Sequence, residues 1–353
     1  MIGKKAVKKR IFAASAALLA FAFGYAVVCF IVSLLVPPLH VRKVSEKLEA
    51  IRARSEEIDV IFVGSSRTAM QIVPSVFDST MAAAGLPVTS FNLGFEGVRP
   101  PEDTMLLEQA LKHRRRPLKF LVAECNAVKS MMEDEDKWTT RMIYTHDRKR
   151  LGVYWRHIWS PRLGKPFELD DYLRYVADHS VEFIDHFRHF LWNYGRLSEG
   201  AGLLQQALTG QPARKKSKPS PPDGFYPVDS DWEPLQGNEL KRYQKNLEKR
   251  RKTPAERVFE DQSSQDDIAA KKAMAERFGA TLVLVSPPYL RDHTFMPMHK
   301  EHVIHLDFSE PNDWPEFYKA EARRDYGHLN DEASREFTRI LAEKIAKAYS
   351  QRS

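Results

Sequence analysis

Cysteine is scarce in this chain of 353 residues: there are two, Cys29 and Cys125. One stands in an apolar N-terminal run and the other in the body of the chain, so no disulfide framework is expected. Zinc-finger, helix-turn-helix and RNA-binding motifs are missing, which argues against a nucleic-acid partner. No internal repeat is present, which excludes a repeat array. An excess of one charge is missing too: 54 Lys and Arg against 47 Asp and Glu leave +7, mild for this length. The basic residues clump at 113–116, 148–150, 214–218 and 249–252. Solvated helix faces and loops account for such clumps; attraction to an anionic membrane surface is the other reading.

What is present is enough for a packed core. Apolar residues make up 43% and charged residues 29%, values that point away from disorder and from a multi-span membrane protein. The length suits one large domain or two small ones. Residues 11–36 carry no charged side chain. As a helix this run is roughly 39 Å long, against a hydrocarbon core of about 30 Å. It is too long for a secretory apolar region and has no small-residue cleavage site, so an uncleaved anchor is expected. Pro37-Pro38 is expected to end the helix. Lys4, Lys5, Lys8, Lys9 and Arg10 precede the run closely, which places residues 1–10 as a tail on the cytoplasmic side. The rest of the chain then faces the periplasm or the exterior of a bacterial inner membrane.

Beyond the anchor, 37–57 reads as a polar stalk, with Val44, Leu48 and Ile51 at helical spacing. Short β-branched runs at 58–63, 88–93, 118–123, 280–285 and 303–308 read as strands. Helices are expected at 101–113, 265–278 and 331–348. Strand, helix, strand argues for an α/β fold with a parallel sheet and right-handed crossovers, over 58–129 and 256–353. Residues 130–255 break the pattern and read as a mainly helical cap insert. Helices are expected there near 169–194 and 235–252, with an exposed loop at 211–224. Trp138, Trp155, Trp159 and Trp192 suit core packing or the faces of sugars.

Three groups of residues carry chemistry. Gly64-Ser65-Ser66-Arg67 directly follows the first strand, where ligands of open α/β sheets bind. Asp325-Tyr326-Gly327-His328 precedes the last helix, and an Asp three residues before a His is able to fold back and hold the ring tautomer. Gly94 and Asn126 close the second and third strands, in reach of a developing oxyanion. Each alone is ordinary turn chemistry.

Taken in chain order, Ser66, Gly94, Asn126 and Asp325-x-x-His328 resemble the SGNH/GDSL hydrolase superfamily, from about 58 to 348 with the insert outside. The resemblance implies a three-layer α/β/α fold. By its blocks Ser66 matches the nucleophile, with Ser65 as the rival. Gly94, Asn126 and the Ser66 amide match the oxyanion donors, and Asp325 and His328 complete the triad. Two departures stand out: Ser65 replaces the family's Asp, and Glu124-Cys125-Asn126-Ala127 replaces Gly-x-Asn-Asp. Gly-Ser-Ser-Arg with Asp-x-x-His-Leu-Asn is similar to a membrane-anchored branch that acylates or deacylates cell-surface polymers, commonly beside a multi-span acyltransferase. The resemblance therefore implies a serine esterase or O-acyltransferase with no cofactor and an acylated glycan as partner. Arg67 is expected to bind an acidic substrate group or to form a salt bridge. Two competing readings remain. One is a metal site among His293, His299, His302 and His305; the other is a scaffold of the same fold without turnover.

Overall fold

The computed structural model describes residues 4–35, 41–128, 137–159, 169–196, 199–201, 205, 208–209, 221–226, 235–258, 262–291, 293–297 and 303–352. Pro37-Pro38, most of the 211–224 loop and the basic group 214–218 lie outside them. Helix α1 (Lys4–Leu35) contains a segment, Lys9–Val32, long and apolar enough to cross a membrane.

Five strands form one sheet: β1 (Val60–Val63), β2 (Ser90–Asn92), β3 (Phe120–Glu124), β5 (Thr281–Ser286) and β7 (Ile304–Asp307). Their order is β2-β1-β3-β5-β7, and every pairing is parallel. The short, apolar, β-branched runs suit strands covered on both faces. Side-chain alternation divides them between two apolar clusters. Ile61, Val63, Leu121, Ala123, Leu282 and Leu284 pack with α5 (Glu102–Leu111) and α10 (Gln262–Arg277). Val60, Phe62, Phe120, Val122, Val283 and Val285 pack with α4 (Pro74–Ala83) and α11 (Asp331–Ser350). Each large side chain fully buried there contributes about 1.5–3 kcal/mol. Strand and helix boundaries fall within a few residues of those expected. A separate parallel pair, β4 (Glu256–Val258) with β6 (His293–Phe295), was not legible in the sequence.

Three expectations are corrected. Residues 42–53 do not form a polar stalk. They form α2 (Arg42–Ala53), whose Val44, Leu48 and Ile51 are buried in the same cluster as Ile61 and Leu106. Their helical spacing gives the apolar face that binds α2 to the body. The 130–255 segment is likewise not all cap. Its last helix, α9 (Gly237–Lys252), buries Tyr243 and Leu247 beside Phe337 and Leu341. The cap proper is α6 (Thr140–Thr145), α7 (Arg148–Trp159) and α8 (Leu169–Tyr194). Inside it, His146 Nε2 lies 2.8 Å from His186 Nδ1, and Tyr154 stacks on His186 at 3.7 Å. Core packing of the four tryptophans is also corrected: Trp138, Trp155, Trp159 and Trp192 are all exposed.

The strand order reverses direction between β1 and β3. In an open α/β sheet that switch point, at the carboxyl ends, is where ligands bind. Gly64-Ser65-Ser66 leaves β1 there and Glu124-Cys125-Asn126 leaves β3 beside it.

Candidate functional site

The turn after β1 is built on a close approach. A Cβ at Gly64 would stand 2.3 Å from Thr68 Oγ1 and 2.6 Å from Glu124 Cβ, so only glycine fits. Ser65 then caps α3 (Ser66–Gln71), its Oγ accepting from the Arg67 amide at 3.3 Å. Ser66 heads the helix, where a backbone N–H has no intrahelical acceptor.

The 323–330 loop meets this turn from the other end of the chain. Arg323 is buried and donates to the Tyr243 hydroxyl and the Pro288 carbonyl. The Arg324 amide donates to the His328 carbonyl, and Asn330 caps α11. Thr338 of α11 accepts from the Val73 amide and donates to the Gln71 carbonyl, both at 3.0 Å, which ties α3 to α11. The result brings Ser66, His328 and Asp325 together. Ser66 Oγ lies 2.7 Å from His328 Nε2, and His328 Nδ1 lies 2.8 Å from Asp325 Oδ1. Asp325 Oδ1 also accepts from the Gly327 and His328 amides at 2.7 and 2.8 Å. Burial pushes the Asp325 carboxyl up, but the His328 hydrogen bond and charge and these amides outweigh it and hold it below its ordinary value. An ionised carboxylate only accepts, so Nδ1 carries the proton and Nε2 accepts from Ser66.

The other expected residues fare differently. Ser65 is buried, and both its amide and hydroxyl donate to Glu124 Oε2, at 2.8 and 2.7 Å; it is not poised as a nucleophile. The Gly94 amide donates to Asn92 Oδ1 at 2.9 Å, so it is not free for an oxyanion. Gly94 serves packing instead: a Cβ there would stand 2.5 Å from the Ala69 nitrogen. Asn126 is buried with its Nδ2 lacking a hydrogen-bond partner, though it lies close enough to Glu124 to help hold that carboxylate charged. Arg67 Nε and a terminal nitrogen lie 2.8 and 2.7 Å from Glu124 Oε1, so the salt bridge is the role the structure gives it. Of the four-histidine grouping, His299 and His302 lie outside the described residues, and His305 Nε2 stands 3.2 Å from Ser286 Oγ.

Compared with protein-family models, with curated proteins and with solved structures, the chain gives no match.

Glu124 is the residue sequence reasoning passed over. Burial pushes its carboxyl up, but Arg67, Ser65, Arg291 and Asn126 together hold it down at about 2. The carboxylate beneath the turn thus comes from the end of β3, not from the residue before Ser66. A charged residue ending an apolar strand was its signal. Arg291 and Tyr289 carried none. Tyr289 places its ring under both guanidinium groups, 4.7 Å from that of Arg67 and 5.2 Å from that of Arg291. Two arginines share one buried glutamate, so the patch beside Ser66 is net positive. Burial pushes the Cys125 thiol up to about 12, which removes it as a nucleophile. A cavity of about 440 Å³ is lined by Ala69, Met70, Gly94, Arg42, Lys43 and Tyr226, among others. Ala69 and Met70 share a helical face with Ser66, three and four residues back.

Proposed function

We propose that the chain is a membrane-anchored serine esterase or O-acyltransferase acting on acyl groups of a cell-envelope or exported glycan. The observation that carries this is the Ser66–His328–Asp325 chain of hydrogen bonds at the switch point of the sheet. Ser66 Oγ attacks the acyl carbonyl as His328 Nε2 takes its proton. Asp325 holds the ring and stabilises its charged form. The proton then passes to the leaving alkoxide, and the acyl group goes from Ser66 to water or to a sugar hydroxyl. Asn126 Nδ2 and the Ser66 amide are the oxyanion donors of this reading. Arg291, beside Arg67 on Glu124, favours a substrate with an anionic group.

The wider reading is an SGNH-like three-layer fold and an N-terminus in the cytoplasm of a bacterium. It has the site facing the periplasm beside a multi-span acyltransferase. The satisfied Gly94 amide favours a second reading, a scaffold of that fold without turnover. Labelling of the full chain with a fluorescent fluorophosphonate separates the two. Wild type and Ser65→Ala are expected to label, and Ser66→Ala and His328→Ala are expected not to. Unlabelled wild type that melts as a folded protein would sink the enzyme reading.

A further inference from the structure

The described residues with large exposed apolar side chains are confined to α1 and to the stretch from Trp138 to Leu208. Most of the latter belong to α8. At about 100° per residue, Leu169, Leu173, Ile184, Phe187 and Tyr194 share one quadrant of this helix. Each of the five is more than two-fifths exposed. Ala177, Ser180 and Leu191 complete the stripe, and none of its members carries charge. The opposite face is occupied: His186 and His189 are buried against α6 and α7. The stripe is therefore not the side that makes the cap's core, and in water its exposure is unfavourable.

Its position relative to α1 says what covers it. The Tyr25 hydroxyl donates to the Leu191 carbonyl, at the C-terminal end of the stripe, and Cys29, one turn further along α1, is buried. Tyr25 lies inside the apolar span Lys9–Val32. It stands seven positions before Val32, so it sits about 10 Å from that end of the span. Interfacial helices sink their apolar face about 5–10 Å into the boundary between headgroups and acyl chains. The end of α8 is thus held at that depth wherever α1 crosses a bilayer. Trp192 and Tyr194 of α8 are exposed at that end, and Trp155 and Trp159 of α7 are exposed further along the helix, beside Phe183 and Tyr172. Amphipathic rings of this kind collect at the headgroup level.

We propose that α8 lies in the outer surface of the bilayer that α1 crosses, its apolar stripe among the acyl chains and the tryptophans of α7 at the headgroups. The proposal rests on the anchor reading given above. A second consequence is that the site is held near the membrane. The cavity beside α3 is lined by Arg42 and Lys43, and Arg42 stands seven residues after Leu35. That length of chain spans at most about 25 Å.

The test uses the full chain in liposomes of phosphatidylcholine and phosphatidylglycerol. Single nitroxide labels are placed at A20C, D178C, I184C and F187C, in a C29S/C125A background that melts like wild type. Collision rates with oxygen and with a water-soluble nickel chelate report depth. Labels at 20, 184 and 187 are expected to favour oxygen several-fold, and the label at 178 to favour the chelate. If 20 favours oxygen while 184 and 187 favour the chelate, the proposal fails and the anchor stands. If neither reagent reaches 184 and 187, protein covers the stripe, a second copy for instance, and the proposal fails equally. If 20 favours the chelate, the anchor reading fails and takes this proposal with it.

Discussion

The α/β body and the cap bury and expose opposite things. In the body, two clusters of buried charge are ion-paired. Lys271 stands between Asp103 and Asp267, at 2.9 and 2.5 Å, and Glu124 holds Arg67. In the cap, a cluster of rings is buried: burial, with His186 beside it, pushes His146 well below its ordinary value, and Tyr154 stacks against His186. The surfaces differ in the same sense. Between Arg42 and Lys137, and again beyond Leu208, no described residue presents a large exposed apolar side chain, whereas the cap presents many. The body is built to be stable in water on all sides. The cap is built with one side that water does not suit.

Disturbing the paired charges should produce the largest change in stability. Lys271→Met leaves Asp103 and Asp267 buried without a cation, and loss of one partner from such a pair costs about 3–5 kcal/mol. Chemical denaturation of full-length protein is expected to show that loss, with the fluorophosphonate reaction intact in what stays folded. A change under about 1 kcal/mol would mean that the body tolerates unpaired charge as the cap tolerates exposed leucine.

Asn126→Ala tests the site rather than the scaffold. Removal of one oxyanion donor costs about 2.7–4 kcal/mol of transition-state stabilisation. The rate of fluorophosphonate labelling is expected to fall in proportion, with a smaller loss of stability, because Asn126 Oδ1 accepts from Arg291 at 3.3 Å and the side chain helps hold Glu124 charged. A fall in stability with no fall in rate would make Asn126 a support for Glu124.

Acid separates the two regions by pH. The folded Glu124 carboxyl is held at about 2, below its ordinary 4.5. Its stabilisation is complete above the ordinary value and is lost as pH falls from about 4.5 towards 2. The depressed His146 works over a higher range: the unfolded chain takes up its proton first, so the cap weakens as pH falls below about 6.5. Circular dichroism and tryptophan fluorescence across these ranges are expected to show an early loss in the cap and a later one in the body. Glu124→Gln should flatten the later loss alone. Coincident transitions in the wild type would show that cap and body unfold as one unit.

The smallest effect belongs to the stripe. Ile184→Ser and Phe187→Ser in detergent should each move stability by less than about 0.5 kcal/mol, since surface changes away from packed contacts rarely do more. A loss of 2 kcal/mol or more, on the scale of a truncated core side chain, would place both residues in a packed core.

Much of the body was readable from the chain. Short apolar runs closed by Gly64, Gly94 and Gly279 identify strands and helix ends through local backbone preference, which needs no distant partner. Ser66, Asp325 and His328 were readable because each stands at a predictable end of a predictable element. Gly94 was misread for a reason no pattern displays. Its amide is satisfied by Asn92, two residues back, and that depends on which way one side chain turns. A salt bridge of Arg67 was one of two readings open in the sequence, but its partner was not legible, because Glu124 approaches it from another strand. The tryptophans of the cap were misread because aromatic composition does not tell an inward ring from an outward one.

By itself, then, the sequence determined the five strands of the main sheet, the helices at 102–111, 262–277 and 331–350, the uncharged N-terminal run and the places of Ser66, Asp325 and His328 at element ends. These follow from periodicity and backbone preference, which act over a few residues. Only the tertiary structure decided that Ser66 and His328, 262 positions apart, stand 2.7 Å from each other. It alone decided that Glu124 binds Arg67, that α2 belongs to the core and that α8 turns an apolar side outward. Those outcomes depend on which surfaces meet when the sheet closes against its helices, and distance along the chain does not encode that.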